Sequence, residues 1–550
     1  MKPVFSEFFR HFSTTYTLIY KSYNKKQKNM KTTMRIFTLL LALLTVTSLS
    51  AQTFWTSTSY KGAFPVTDGT PATDWTYGWS NFDPENTIYP STSLTLNSNI
   101  TTNTTLSGTV LLQNKVYVTN GATLTILPGT IIRGDLSTQG TLIITKGCKI
   151  IAEGTETQPI VFTSNEPVGN RAEGDWGGLV ILGNAINNQP GGVANIEGIA
   201  PTNDTQYGGT DDNDNSGSLK YVRVEFGGIP LAPNKEINGI TFGSVGRSTQ
   251  VDYVQVSFSG DDSFEWFGGT VDCKHLIAYK GIDDDFDTDF GYRGRLQFLL
   301  AVRSNTMYDA AGDSNSLESD NDATGSSNLP QTAAVFSNLT LVGPKGDGTT
   351  VLPVGETFAK SFRIRRNSSI SVFNSLIVGW ELGLSLEGGA VEDNFLGDTL
   401  SFSNNSFIEF NSGTNYVTAT PTFYSPITLL NDTTSTISQI SWVSPFTQTP
   451  DYRLDSTSVV ATGADFTNSH FVGGFVSVNE LIDENFIVYP NPTTEMITIQ
   501  SNSVINVSVM DEFGRVVLTS KSNTIDVSNL SNGVYILRIN NTTKKIIIRK

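Results

Sequence analysis

The sequence predicts an all-β protein, a solenoid of short stacked strands followed by a small β-sandwich. Three observations lead there. Only 16% of the 550 residues are charged and 49 are Gly, with Thr, Ser and Asn recurring throughout. That composition favours strands over helices, which draw on Ala, Leu, Glu and Lys. Short β-branched runs such as Lys115-Val116-Tyr117-Val118 and Thr141-Leu142-Ile143-Ile144 return about every 8 to 20 residues, with no useful amphipathic helix between them. Related phrases also repeat: Tyr221-Val222-Arg223-Val224-Glu225-Phe226-Gly227-Gly228 is echoed 32 residues on by Tyr253-Val254-Gln255-Val256-Ser257-Phe258-Ser259-Gly260.

The chain opens on an export signal. Lys25, Lys26, Lys28, Lys31 and Arg35 precede an apolar run from Ile36 to Val46, and small residues follow to Ala51. This is a basic region, a hydrophobic region and a cleavage site, with cutting expected between Ala51 and Gln52. The apolar run is shorter than the ~20 residues a mature membrane helix needs. Met30 or Met34 would be a more ordinary start, so residues 1–29 read as an over-extended gene start. Residues 1–51 hold eight Lys/Arg and one acidic residue; the remainder carries 28 basic and 51 acidic residues, a net charge of −23. Such a surface repels nucleic acid and anionic membranes, and suits divalent cations, neutral glycans or plain solubility.

Residues 52–104, with Trp55, Trp75 and Trp79, are expected to cap the open end of the solenoid. Residues 105–464 are its body. In the repeated phrases Val222, Val224 and Phe226, and likewise Val254, Val256 and Phe258, should point inward, each coil stacking in parallel on the next. A β-sandwich would need tight hairpins between paired runs, and most joints here are longer. Cys148 and Cys273 read as two buried thiols rather than a bridge.

Two phrases in the body, Gly174-Asp175-Trp176-Gly177-Gly178-Leu179-Val180-Ile181-Leu182-Gly183 and Gly260-Asp261-Asp262-Ser263-Phe264-Glu265-Trp266-Phe267-Gly268-Gly269, resemble runs common in secreted right-handed parallel β-helix proteins of the Bacteroidetes type. The resemblance spans about residues 105–445 and implies the fold without naming an activity.

After a linker at 465–484 the texture changes. Residues 485–550 show alternating strands with turns at Asp511-Glu512-Phe513-Gly514 and Leu530-Ser531-Asn532-Gly533, which reads as a small sandwich. Tyr489-Pro490-Asn491-Pro492, Gly514, Gly533, Tyr535 and the basic end with Lys544 and Lys545 resemble the type A C-terminal sorting domain of type IX secretion. An Ig-like adhesion module is the plainer alternative. The resemblance implies recognition by the export machinery, release at or attachment to the cell surface, and attachment to lipopolysaccharide after cleavage.

The candidate chemistry lies in acidic clusters. Asp283, Asp284, Asp285, Asp287 and Asp289 fall within seven positions. On one strand the odd-numbered four would share a face, and carboxylates so close call for a hard cation such as Ca²⁺. Asp261, Asp262 and Glu265 form a weaker set, as do Asp211, Asp212 and Asp214. The plainer reading of each is a solvated loop. Arg293 and Arg295 are candidate bases for a polysaccharide lyase, and paired carboxylates for a glycoside hydrolase. Against catalysis, a Gly-His-Gly signature is missing, and His275 and His470 resemble no catalytic base. Trp176, Trp266 and Phe267 are candidate glycan-stacking platforms, or else packing at coil corners. Nothing in the sequence suggests a nucleotide, haem or zinc site. The expectation is a secreted or surface protein in binding, adhesion or matrix contact with extracellular glycans; glycan cleavage is the alternative.

Overall fold

The computed structural model describes residues 54–550 apart from 233–234, 311, 313, 409–415, 419–429, 472–486, 501–506, 512–514 and 540–541. Residues 1–53, with the segment expected to be an export signal and its expected Ala51–Gln52 cleavage pair, and Gly514 therefore lie outside the described residues. The chain divides at Thr56. In the first unit Phe54 and Trp55 meet edge to face at 4.9 Å; everything below concerns residues 57–550.

The body is a parallel β-helix. One sheet of ten parallel strands contains β1 (Lys115–Val118), β2 (Thr141–Ile144), β3 (Gly178–Leu182), β4 (Ile240–Val245), β5 (Phe264–Gly269), β6 (Phe286–Asp289), β7 (Leu317–Ser319), β8 (Lys360–Arg365), β9 (Leu382–Glu387) and β10 (Tyr416–Thr418), paired in chain order. A second sheet of sixteen strands runs beside it from Leu94–Leu96 to Phe402–Ser403 and Ser406–Ile408. Strand order follows chain order because each coil adds one rung. The 32-residue echo is this rung: Val222 pairs with Val254 and Val224 with Val256, and with Phe226 and Phe258 all six residues are buried as the alternation requires.

The long strands of the larger sheet bend at one residue per coil. Tyr221, Tyr253, His275, Phe298 and Asn338 adopt φ between 49° and 63°, and the pairing skips that position, from Lys220–Asp252 to Val222–Val254. A left-handed non-glycine residue costs about 1 kcal/mol. Stacking offsets it: Tyr221 and Tyr253 lie 4.6 Å apart, Tyr253 and His275 4.3 Å, His275 and Phe298 5.1 Å.

The segment expected as an end cap contacts this flank. The Gly62 N–H donates to Asn374 O, Trp75 packs on Tyr253 and His275, and Trp79 on Tyr221. Tyr89 donates to Glu225 at 2.8 Å. Residues 57–89 thus run back along the coils, and the outermost strand of the larger sheet is Leu94–Leu96, within the region assigned to the cap. At the other end the linker begins packed, with Phe373 against Phe471 at 5.0 Å.

The C-terminal domain has two antiparallel sheets, of three strands (Ile487–Tyr489, Met496–Gln500, Thr524–Asp526) and four (Val507–Met510, Val516–Ser520, Gly533–Ile539, Thr542–Ile548). Ile497, Ile499, Val507, Val509, Ile525, Leu537 and Ile546 fill its core. Of the sorting residues, Tyr489 is exposed at a strand end and Asn491 accepts the Ile547 N–H at 2.8 Å. Gly533 opens a strand in which buried Tyr535 donates its hydroxyl to Ser531 O. Lys544 and Lys545 lie on the last strand.

Candidate acidic site on the ten-stranded sheet

Strand β6 alternates cleanly. Phe286 and Thr288 point into the solenoid, and Asp287 and Asp289 point out. The parallel register carries this outward position across nine successive rungs, as Tyr117, Ile143, Val180, Thr241, Glu265, Asp287, Glu318, Arg363 and Ser385. The column is apolar at one end, passes through a hydroxyl and three carboxylates, and then reaches a guanidinium.

The turns that enter β5 and β6 add more acid. Asp262 accepts the Asp284 N–H at 2.9 Å, and Asp284 accepts the Asn315 N–H at 2.7 Å. Each thus ties its coil to the next. Carboxylate oxygens of Asp262, Glu265 and Asp287 all lie within 4.8 Å of one another, as do those of Asp261, Asp262 and Asp283. Asn238 donates to Glu265. One oxygen of Asp287 is buried with no hydrogen-bond partner, which costs free energy unless something fills the gap.

Burial raises the carboxyls of Asp262, Glu265, Asp283, Asp284, Asp287 and Asp289 well above the usual range, and neighbouring carboxylates push them further in the same direction. Glu318 is pushed up to about 8, chiefly by burial. The guanidiniums sit at the far end: Arg363 lies 3.3 Å from Glu318, Arg365 3.0 Å from Asp320, and Arg366 2.6 Å from Asp320.

The five clustered aspartates therefore divide. Asp283, Asp287 and Asp289 open outward and Asp284 bridges coils. Asp285 turns inside, where it is fully buried, 3.1 Å from Arg303 and accepting from Ser316 at 2.9 Å. Strand β6 starts only at Phe286, so the even alternation assumed from 283 to 289 breaks at the turn. Arg293 and Arg295 lie away from the column, bound to Asp212 at 3.0 Å and Asp272 at 2.5 Å. Asp214 accepts from Asn184 and Ser216, and Asp212 from the Ile186 N–H and Arg293, so these carboxylates are engaged by their own turn, the 184–186 loop and Arg293. Trp176 and Trp266 are wholly buried. Trp176 donates to Glu225 O and stacks on Phe162; Trp266 stacks between Phe242 and Tyr292. Neither offers a face to a ligand. His275 accompanies Asp252 at the aromatic corner. Cys148 and Cys273 are free and buried. Glu318 and Arg363 join the site through the register, and Asn238 through its hydrogen bond to Glu265.

These features match a known family. The model of a pectate-lyase-like β-helix domain matches residues 98–447, more than half of the chain, and that of a secretion-system C-terminal sorting domain matches residues 487–550. The class is a β-helix protein carrying a type IX sorting domain, secreted or attached to the outer cell surface and handled by the type IX machinery. The chain belongs to the pectate-lyase-like β-helix family. Searches of curated proteins and of solved structures find no match to it.

Proposed function

We propose that this secreted or surface β-helix binds Ca²⁺ at Asp262, Glu265 and Asp287 and uses the loaded face to hold extracellular glycans in an adhesive or matrix role. The observation that carries the reading is the convergence of those oxygens within 4.8 Å of one another, together with a buried Asp287 oxygen that no donor satisfies. A hard cation with oxygen ligands removes both the repulsion and the unmet acceptor. Thermal unfolding at pH 8 tests it: Ca²⁺ should raise the midpoint over EDTA at constant ionic strength, and Mg²⁺, which demands a tighter octahedral shell, should raise it less. Equal curves in Ca²⁺ and EDTA would defeat the reading.

Glycan cleavage is the second reading, favoured by one observation. Glu265 and Asp287 stand side by side with raised proton affinity, so one carboxyl could donate a proton while another stays ionised. New reducing ends or unsaturated products from a polysaccharide panel, lost in Asp287→Asn, would establish it.

A further inference from the structure

Beside the column the outer face turns aromatic. Phe267 is the register partner of Asp289, and its ring lies 5.2 Å from Phe290 and 6.1 Å from Tyr207. Tyr207 lies down on the sheet because Gly243 has no side chain; a Cβ there would come within 2.7 Å of the ring. The facing wall is the loop Asn195–Pro201, anchored where Ala194–Asn195 pairs with Gln206–Tyr207. Between wall and rings is an open cleft of about 500 Å³, with Ile196, Ile199 and Pro201 on the loop side and the exposed carboxylate of Glu197 in its lining.

We propose that this cleft is a subsite for a neutral pyranose ring of an extracellular polysaccharide. Phe290 is the partly exposed ring, and Phe267 and Tyr207 are buried in the cleft wall; an aromatic ring offers an apolar surface to the C–H face of a sugar, and the volume lies in the range of small-ligand clefts. Glu197 can accept sugar hydroxyls. This carboxylate repels a uronate or sulfated sugar at this end. A wholly apolar ligand would leave a carboxylate lining without use. The subsite rests on the reading of the acidic face as a glycan-binding surface, but its chemistry does not depend on calcium.

The test is titration of the full mature chain with soluble neutral polymers (xylan, galactan, glucomannan) and uronate polymers (polygalacturonate, alginate), in Ca²⁺ and in EDTA. Phe290→Ala removes a half-buried ring, and Ala200→Trp fills the cleft from an exposed loop position without touching the core. Binding to at least one neutral polymer is expected, weakened tenfold or more by each variant with calcium affinity unchanged. Asp287→Asn should weaken calcium binding tenfold or more and leave neutral-polymer affinity within about twofold. The subsite is overturned if both variants bind as the parent does, if only uronate polymers bind, or if no polymer binds. Loss of neutral binding in both variants of a chain that takes up no calcium would keep the subsite and discard the cation.

Discussion

Glu265 and Asp287 are register partners on adjacent parallel strands, side by side on the outer face of the ten-stranded sheet. Like charges directly opposite destabilise a sheet, and here Glu318 extends the row to three. Such a row persists only if protons, cations or guanidiniums balance it. Arg363 and Arg365 balance Glu318; the two carboxyls before it rely on something else.

One consequence is an unusual pH dependence. Asp262, Glu265, Asp287 and Glu318 hold protons more tightly folded than unfolded. Their contribution to stability is complete below the unfolded carboxylate range near pH 4 and is lost as pH rises toward the folded values, about 8 for Glu318. Without calcium the midpoint of unfolding should fall by about 5 °C between pH 5 and pH 8, and Asp287→Asn should flatten the slope. A calcium-free midpoint that rises over that window would contradict the charge assignment.

Asp285 belongs to the interior. Asp285→Asn leaves Arg303 buried without its counter-ion and should cost about 3 kcal/mol in denaturant unfolding, while calcium affinity stays within a factor of two. A tenfold loss of calcium affinity in a folded Asp285→Asn protein would return this residue to the metal site.

Much of this was legible in the sequence. Val222/Val224 and Val254/Val256 announce their strand by alternation, and the 32-residue echo announces stacking. The site was only half legible. Five close aspartates were visible, but whether Asp285 or Asp287 faces solvent depends on where strand β6 begins, and a turn leaves no alternation to read. Glu265, Asp287, Glu318 and Arg363 are separated by 22, 31 and 45 residues, because each coil carries loops of different length. A column built at uneven intervals has no period to detect. Trp176 and Trp266 stood among glycines, which serve close packing as well as a platform.

That packing is itself testable. Strand Ile131–Gly134 passes Trp176 so closely that a Cβ on Gly134 would lie 2.4 Å from the Trp176 Cβ. Gly134→Ala should therefore destabilise the protein by about 2 kcal/mol, measured by urea unfolding. A neutral result would place the Trp176 ring elsewhere.

The C-terminal domain has its own core and its own family match. Deleting residues 487–550 should leave the β-helix folded but retain it in the periplasm, as read by cell fractionation. Undiminished delivery of the truncated chain to the surface would mean that the sorting information lies elsewhere.

The most direct measurement is isothermal titration of Ca²⁺ into the mature chain at pH 7.5, with Glu265→Gln, Asp287→Asn and Asp285→Asn in parallel. A site at the column predicts saturable binding by the parent and by Asp285→Asn, weakened tenfold or more by Glu265→Gln and by Asp287→Asn. No saturable heat in the parent, or equal affinity in Asp287→Asn, would contradict it.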